Sequence, residues 1–150
     1  ASARGLETAL APAVLVALNV VYAVVAWPAG TLSDRIGRRG LLILSLAVLA
    51  AAHLILAFGG TLLAVFVGVV LWGLHMGLSQ GLLSAAIADA VPAPLRGTGF
   101  GLFYFVSGLS VLAANTSAGA LWAYAGPEAT FMLGAVAAAL ALALTRRVAT

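Results

Sequence analysis

Five stretches of this chain are each long and apolar enough to cross a lipid bilayer. A crossing helix takes about 20 predominantly apolar residues, within a range of about 17–25. The stretches run over 11–29, 41–58, 61–88, 98–118 and 129–145. The third stays uncharged until Asp89 and exceeds what a crossing needs, so it is expected to tilt or project beyond the membrane. Turn residues separate the stretches: Gly59 with Gly60, Pro92 with Pro94, and Gly126 with Pro127.

A helix buried in a soluble core would still show water a polar face. Leu41 to Phe58 offers only Ser45 and His53, and Ala129 to Leu144 only Thr130. Hydrophobic residues make up 64% of the chain and charged residues 7%, against about 25% charged in soluble domains. The apolar surplus must therefore face lipid. The expected fold is all-α: a polytopic transmembrane bundle of five spans within one domain, 1–150. The chain has no cysteine, which excludes disulfides and thiolate metal sites. It has no lysine, and with its heavy use of alanine this suits a GC-rich bacterial genome. Ala1 to Leu10 lacks the charged and apolar regions of a signal peptide. With no initiator methionine, the chain is expected to be cut from a longer one.

Arginine placement sets the orientation. Arg35, Arg38 and Arg39 lie between the first and second spans, Arg96 between the third and fourth, and Arg146 and Arg147 after the fifth. With five spans all six fall on one side, and only Arg4 falls on the other. The positive-inside rule makes the six-arginine side cytoplasmic. The N-terminus is then expected outside and the C-terminus inside, in a multi-pass protein of the cytoplasmic membrane. A faint repeat accompanies this arrangement. Ala29-Gly30-Thr31-Leu32 and Gly37 match Ala118-Gly119-Ala120-Leu121 and Gly126 at an offset of 89 residues. Inverted three-helix repeats of this kind are common in secondary transporters.

The most specific string is Gly30-Thr31-Leu32-Ser33-Asp34-Arg35-Ile36-Gly37-Arg38-Arg39. Physically it reads as a tight turn between two spans. Gly30 and Gly37 permit close approach or positive φ. Asp34 can accept bonds from a helix N-terminus. By themselves the arginines indicate no more than a positively charged loop. The full string resembles the G-x-L-x-D-R-x-G-R-R signature of the major facilitator superfamily. A second segment, Ala88-Asp89-Ala90-Val91-Pro92-Ala93-Pro94-Leu95-Arg96-Gly97-Thr98, resembles the A-D-x-V-P-x-x-x-R-G-T segment between the tenth and eleventh helices of many bacterial members. The resemblance covers the whole chain. It implies that the five spans are the eighth to twelfth helices of a C-terminal domain, with helices one to seven of the same protein as the missing partner. It also implies that Gly30, Asp34, Arg35, Gly37, Arg38, Asp89 and Arg96 form a cytoplasmic latch region, with Arg38 and Asp89 as the expected pair. The alternative is that Asp89 merely ends a helix in water.

Polar residues inside a membrane are costly and tend to face a bundle interior or a cavity. They concentrate in the first, third and fourth spans. At helical periodicity, Asn19 and Tyr22 share a face, as do Gly68, Trp72, His75 and Ser79, and as do Tyr104, Ser107 and Asn115. These stripes are candidate cavity walls; equally, they are hydrogen bonds between packed helices. His75, like His53, is either a group that titrates near neutral pH or a neutral ring bonded to a neighbour. Gly73, Gly77 and Gly81 repeat every four residues, a pattern that lets another backbone approach closely. Pro28 is expected to bend the first span.

Catalysis has little support. The chain contains no HExxH and no G-x-S-x-G, so no metal site or cofactor is expected. Ser79 and His75 at i,i+4 lack any mark of an activated nucleophile. No basic and aromatic pattern for nucleic acid is present. The sequence therefore reads as part of a secondary active transporter of a small organic solute, working by alternating access, with proton-coupled drug or metabolite export as the finer expectation. Alone, the chain is expected not to transport. The other reading is a non-transporting membrane module acting through helix–helix contacts.

The topology is testable. Single cysteines replacing Arg38 and Gly60 should react with an impermeant maleimide from opposite sides of the membrane. Reaction from the same side would sink the five-span arrangement.

Overall fold

The computed structural model describes residues 11–147, so Arg4 lies outside the described residues. It is helical throughout, with three elements long and apolar enough to cross a membrane. Helix α1 spans Ala11–Phe58, α2 Leu62–Ala90 and α3 Arg96–Arg147, with a 3₁₀ turn at Ala93–Leu95.

Helix α1 has 48 residues and α3 has 52. Either one, straight, would reach more than twice a hydrocarbon core of about 30 Å. Both are broken at one glycine. Gly37 takes φ 76, ψ 156, and Gly126 takes φ 85, ψ 178. These are the two positive-φ residues among those described, and an L side chain is strained there. They stand 89 residues apart, the offset of the sequence repeat. Each break folds the helix back into a leading and a trailing arm: 11–36 and 38–58 in α1, 96–125 and 127–147 in α3. Pro127 opens a trailing arm, where its missing N–H has no intrahelical acceptor to lose. Glu128 follows at that positive end of the helix dipole.

The glycine-rich string is less of a loop than its composition suggests. Residues 30–36 remain helical, and the reversal falls on Gly37 alone. Gly30 has neither a positive φ nor a close neighbour, so the expected role for it there is corrected. Pro28 lies within a helix that runs through it without a non-helical residue. At the other turn, the Thr61 hydroxyl accepts from Ala64 N at 3.2 Å and caps α2.

Packing centres on α2. The leading arm of α1 runs parallel to it, and the trailing arm runs antiparallel. Ala29, Leu41, Leu78 and Leu82 form the buried cluster where the three meet. A Cβ on Gly73 would lie 2.6 Å from the Leu18 carbonyl oxygen, and one on Gly77 would lie 2.8 Å from Val25. These two glycines let α2 and the leading arm touch backbone to backbone. Gly81 has nothing within 4 Å and is exposed, so its expected packing role is corrected. The reason is geometric: beyond Gly77 a cleft opens between the leading arm and α2. The trailing arm of α3 packs on the trailing arm of α1, where a Cβ on Gly134 would collide with the His53 ring. The leading arm of α3 is exposed along nearly all its length.

The difference between the glycines yields a prediction. Gly73→Ala should destabilise the bundle by about 1–3 kcal/mol, the usual cost of overpacking. Gly81→Ala should change stability little. Unfolding midpoints in mixed detergent would separate the two; equal midpoints would contradict the parallel packing.

Candidate functional site at the arginine end

All the described arginines gather at one end of the bundle. The link between them is the set of helix ends they meet there. The last carbonyls of a helix lack intrahelical partners and carry the negative end of its dipole. The C-terminus of α2 shares this end with the C-termini of α1's leading arm and of α3. Arg38 Nη1 pairs with Asp89 Oδ2 and approaches the Ala85 carbonyl at 3.5 Å. Arg96 Nε donates to the Ala88 carbonyl at 3.2 Å. Arg39 Nη2 donates to the Arg146 carbonyl at 2.7 Å.

The Arg38–Asp89 pair ties the residue after the Gly37 break to the end of α2. Both side chains are well exposed, at 47% and 62%. A pair so exposed contributes only about 0–1 kcal/mol to stability. Beside it lies a cleft of about 240 Å³ between α1 and α2, with Ser33, Asp34 and Arg38 on one side and Gly77, Gly81 and Ala85 on the other. Gly30 lines it too. Asp34 faces this cleft and makes no ion pair among the described residues. Arg35 is exposed. The structure thus brings Arg38, Asp89 and Arg96 together at the end of α2, with Asp34 on the cleft wall.

The polar stripe of α2 points elsewhere. Ser45, fully buried on α1's trailing arm, places its hydroxyl 2.8 Å from His75 Nδ1. That nitrogen also lies 3.0 Å from the Ser45 carbonyl oxygen. Buried Ser79 donates to the His75 carbonyl at 2.9 Å. No Ser79–His75 ring bond forms, so that nucleophile–base pair is not assembled. Gly68 faces Leu56. Trp72 lies against the His53 ring, with centroids 5.1 Å apart, and lines an apolar cavity of about 360 Å³ with Leu18, Trp122 and Phe131. Of the expected polar cavity wall, His75 therefore forms a helix–helix joint with Ser45, Ser79 bonds within its own helix, and Trp72 bounds an apolar space at the end away from the arginines. The physical reason is that polar groups without water find their partners on the neighbouring helix.

The remaining candidates lie on the less covered arms. Asn19 Nδ2 donates to the Leu15 carbonyl at 2.7 Å, and Tyr22 is half-buried. Tyr104 and Asn115 are exposed, and Ser107 is half-buried. Tyr104 packs edge-on against Phe103, with centroids 5.3 Å apart. Sequence reasoning passed over two participants. Ser45 carried one signal: it is the single hydroxyl on an apolar span. The Arg39 bond to Arg146 had none, because its acceptor is a backbone carbonyl.

Comparison with known proteins agrees with this architecture. The family model of the Major Facilitator Superfamily matches residues 2–149. The chain belongs to that family of multi-pass membrane transport proteins. An uncharacterized MFS-type transporter of Methanocaldococcus jannaschii is 35% identical over 126 residues, which cover 84% of this chain and 31% of that protein. The class B tetracycline resistance protein of Escherichia coli is 33% identical over 127 residues, covering 82% of this chain and 30% of that protein. The class H protein of Pasteurella multocida is 33% identical over 100 residues, covering 66% and 25%. The chain thus spans less than a third of the length of these relatives. No solved structure matches it significantly.

The helix–helix joint can be weighed directly. A double-mutant cycle on Ser45→Ala and His75→Ala should give a coupling of about 0.6 kcal/mol, the usual size for a hydrogen bond between membrane helices. The measurement is unfolding in mixed detergent. A coupling indistinguishable from zero would remove the joint.

Proposed function

We propose that this chain supplies helices eight to twelve of a secondary transporter, which carries a small organic solute across the cytoplasmic membrane by alternating access. The single observation that carries the proposal is the ion pair of Arg38 with Asp89, set beside a cleft that Asp34 lines. A surface pair of this kind adds little to folding. It matters in a protein with two states, because it is made in one and broken in the other. A difference of about 1.4 kcal/mol between states changes their ratio tenfold. The arginine end is cytoplasmic in this reading, on the positive-inside rule.

Two relatives are named for tetracycline resistance, which supports a drug-like organic solute and outward transport. The exposed leading arm of α3 supports a bundle completed by further helices. Asp34, Asp89 and Glu128 all stand at helix ends, so proton coupling through a carboxylate in mid-membrane draws on those further helices. The chain is read as non-catalytic: its polar residues serve helix contacts and the latch.

Asp34→Asn and Asp89→Asn, each placed in the twelve-helix protein, should leave its amount in the membrane nearly unchanged. Solute transport should fall severalfold, up to about fivefold for a pair worth about 1 kcal/mol, through a shifted balance of inward- and outward-open states. Parallel transport and expression measurements make the test. Normal transport by both variants, or a loss explained by missing protein, would overturn the latch.

A further inference from the structure

The end of the bundle away from the arginines carries an apolar cavity of about 360 Å³. Every arm of the bundle lines it. Leu18 comes from α1's leading arm, Leu56 from its trailing arm, Val69 and Trp72 from α2, and Trp122 and Phe131 from the two arms of α3. The fold itself builds the aromatic wall. Trp122 and Phe131 flank the Gly126 reversal, and their rings meet edge to face with centroids 6.1 Å apart. His53 backs the same wall. Its Nδ1 lies 2.9 Å from the Leu49 carbonyl oxygen, and its ring stands 5.1 Å from that of Trp72 and 6.3 Å from that of Phe131. Trp72, His53, Phe131 and Trp122 thus form one connected run of rings drawn from all three helices.

Size and chemistry define what the space can hold. Packed interiors contain few voids larger than a water molecule. Ligand cavities run from about 300 to 1,000 Å³ and are mostly apolar and aromatic. An apolar cavity of about 150 Å³ stays dry and takes a benzene, so this one has room for about two or three fused rings. Among the described residues, no charged side chain lines it, and a charge placed there would be desolvated without a partner. Aromatic rings attract one another in offset or edge-to-face arrangements, so the wall favours a flat aromatic guest over a saturated chain. We propose that this cavity binds an uncharged, planar molecule of fused aromatic rings. The site lies at the opposite end from the cleft and depends on the packing of this chain alone, so it stands or falls apart from the transporter reading.

The probe is acridine, which is flat, uncharged at neutral pH and absorbs where indoles emit. The chain has three tryptophans, and Trp27→Phe leaves Trp72 and Trp122 as reporters. In phosphatidylcholine vesicles, acridine should quench their emission saturably. Val69→Phe and Val14→Phe fill the cavity from α2 and from α1's leading arm. Each should raise the half-saturating concentration about tenfold or more. Val20→Phe, on an exposed face of the same arm, should leave it unchanged, and circular dichroism should show the same helicity in every variant. Should Val69→Phe lose helicity, Val14→Phe, at a half-buried position, still tests the site. Phosphatidylcholine with brominated acyl chains should quench the parent and the filled variants equally. In the twelve-helix protein, Val14→Phe should likewise weaken acridine binding in equilibrium dialysis. Four results would each overturn the site: quenching that rises without saturating, as partition into the bilayer gives; equal affinity in the parent and the folded filled variants; bromolipid quenching relieved by filling, which would place an acyl chain in the cavity; or no effect of Val14→Phe in the twelve-helix protein, which would place a further helix there.

Discussion

Hydrocarbon offers no hydrogen-bond partners, and the rest of this structure follows from that. Every backbone N–H and C=O at membrane depth must be satisfied within its own helix. Breaks are therefore short and placed at the ends. Two of them are a single glycine each, Gly37 and Gly126. Where a helix runs out, its last carbonyls need donors from elsewhere. Two arginine side chains supply them, at Ala88 and Arg146. Arginines gathered at one end thus also finish helices that reach it.

The constraint extends to side chains. Ser110, Thr116, Ser117 and Thr145 each donate to the carbonyl four residues back, at 2.8–2.9 Å. A hydroxyl on an apolar helix is thereby satisfied without any cavity. Exposed aromatics mark the two boundaries. Trp27 is 82% exposed toward the arginine end and Tyr124 92% at the opposite one, which suits amphipathic rings at headgroup level.

This explains which features were legible in the sequence. The all-α fold, the positions of the reversals and the gathering of arginines were legible, because chain-long apolar runs and their interruptions leave few alternatives. The repeat of Gly37 at Gly126 was visible as a weak match and corresponds to the two positive-φ residues. The direction of the α2 stripe was not legible. Helix α2 is apolar nearly all round, so His75 and Ser79 could be placed on a face while the neighbour of that face stayed unknown. Ser45 settled it, and a lone serine in an apolar span carries no address. Gly81 failed for a related reason. Its spacing from Gly77 is that of a packing motif, but the neighbouring arm has already diverged there.

The joint at Gly37 has a mechanical consequence. One residue gives two rotatable torsions, and both flanking segments are stiff helices. Any swing of α1's leading arm about its trailing arm must therefore be taken up by φ and ψ of Gly37. Arg38 sits one bond beyond that pivot, at the shortest possible lever arm. A change of a few tens of degrees in either torsion would re-aim the far ends of both arms by many ångströms, while the guanidinium beside the pivot shifts only slightly. The pair with Asp89 thus ties the end of α2 to the residue beside the pivot.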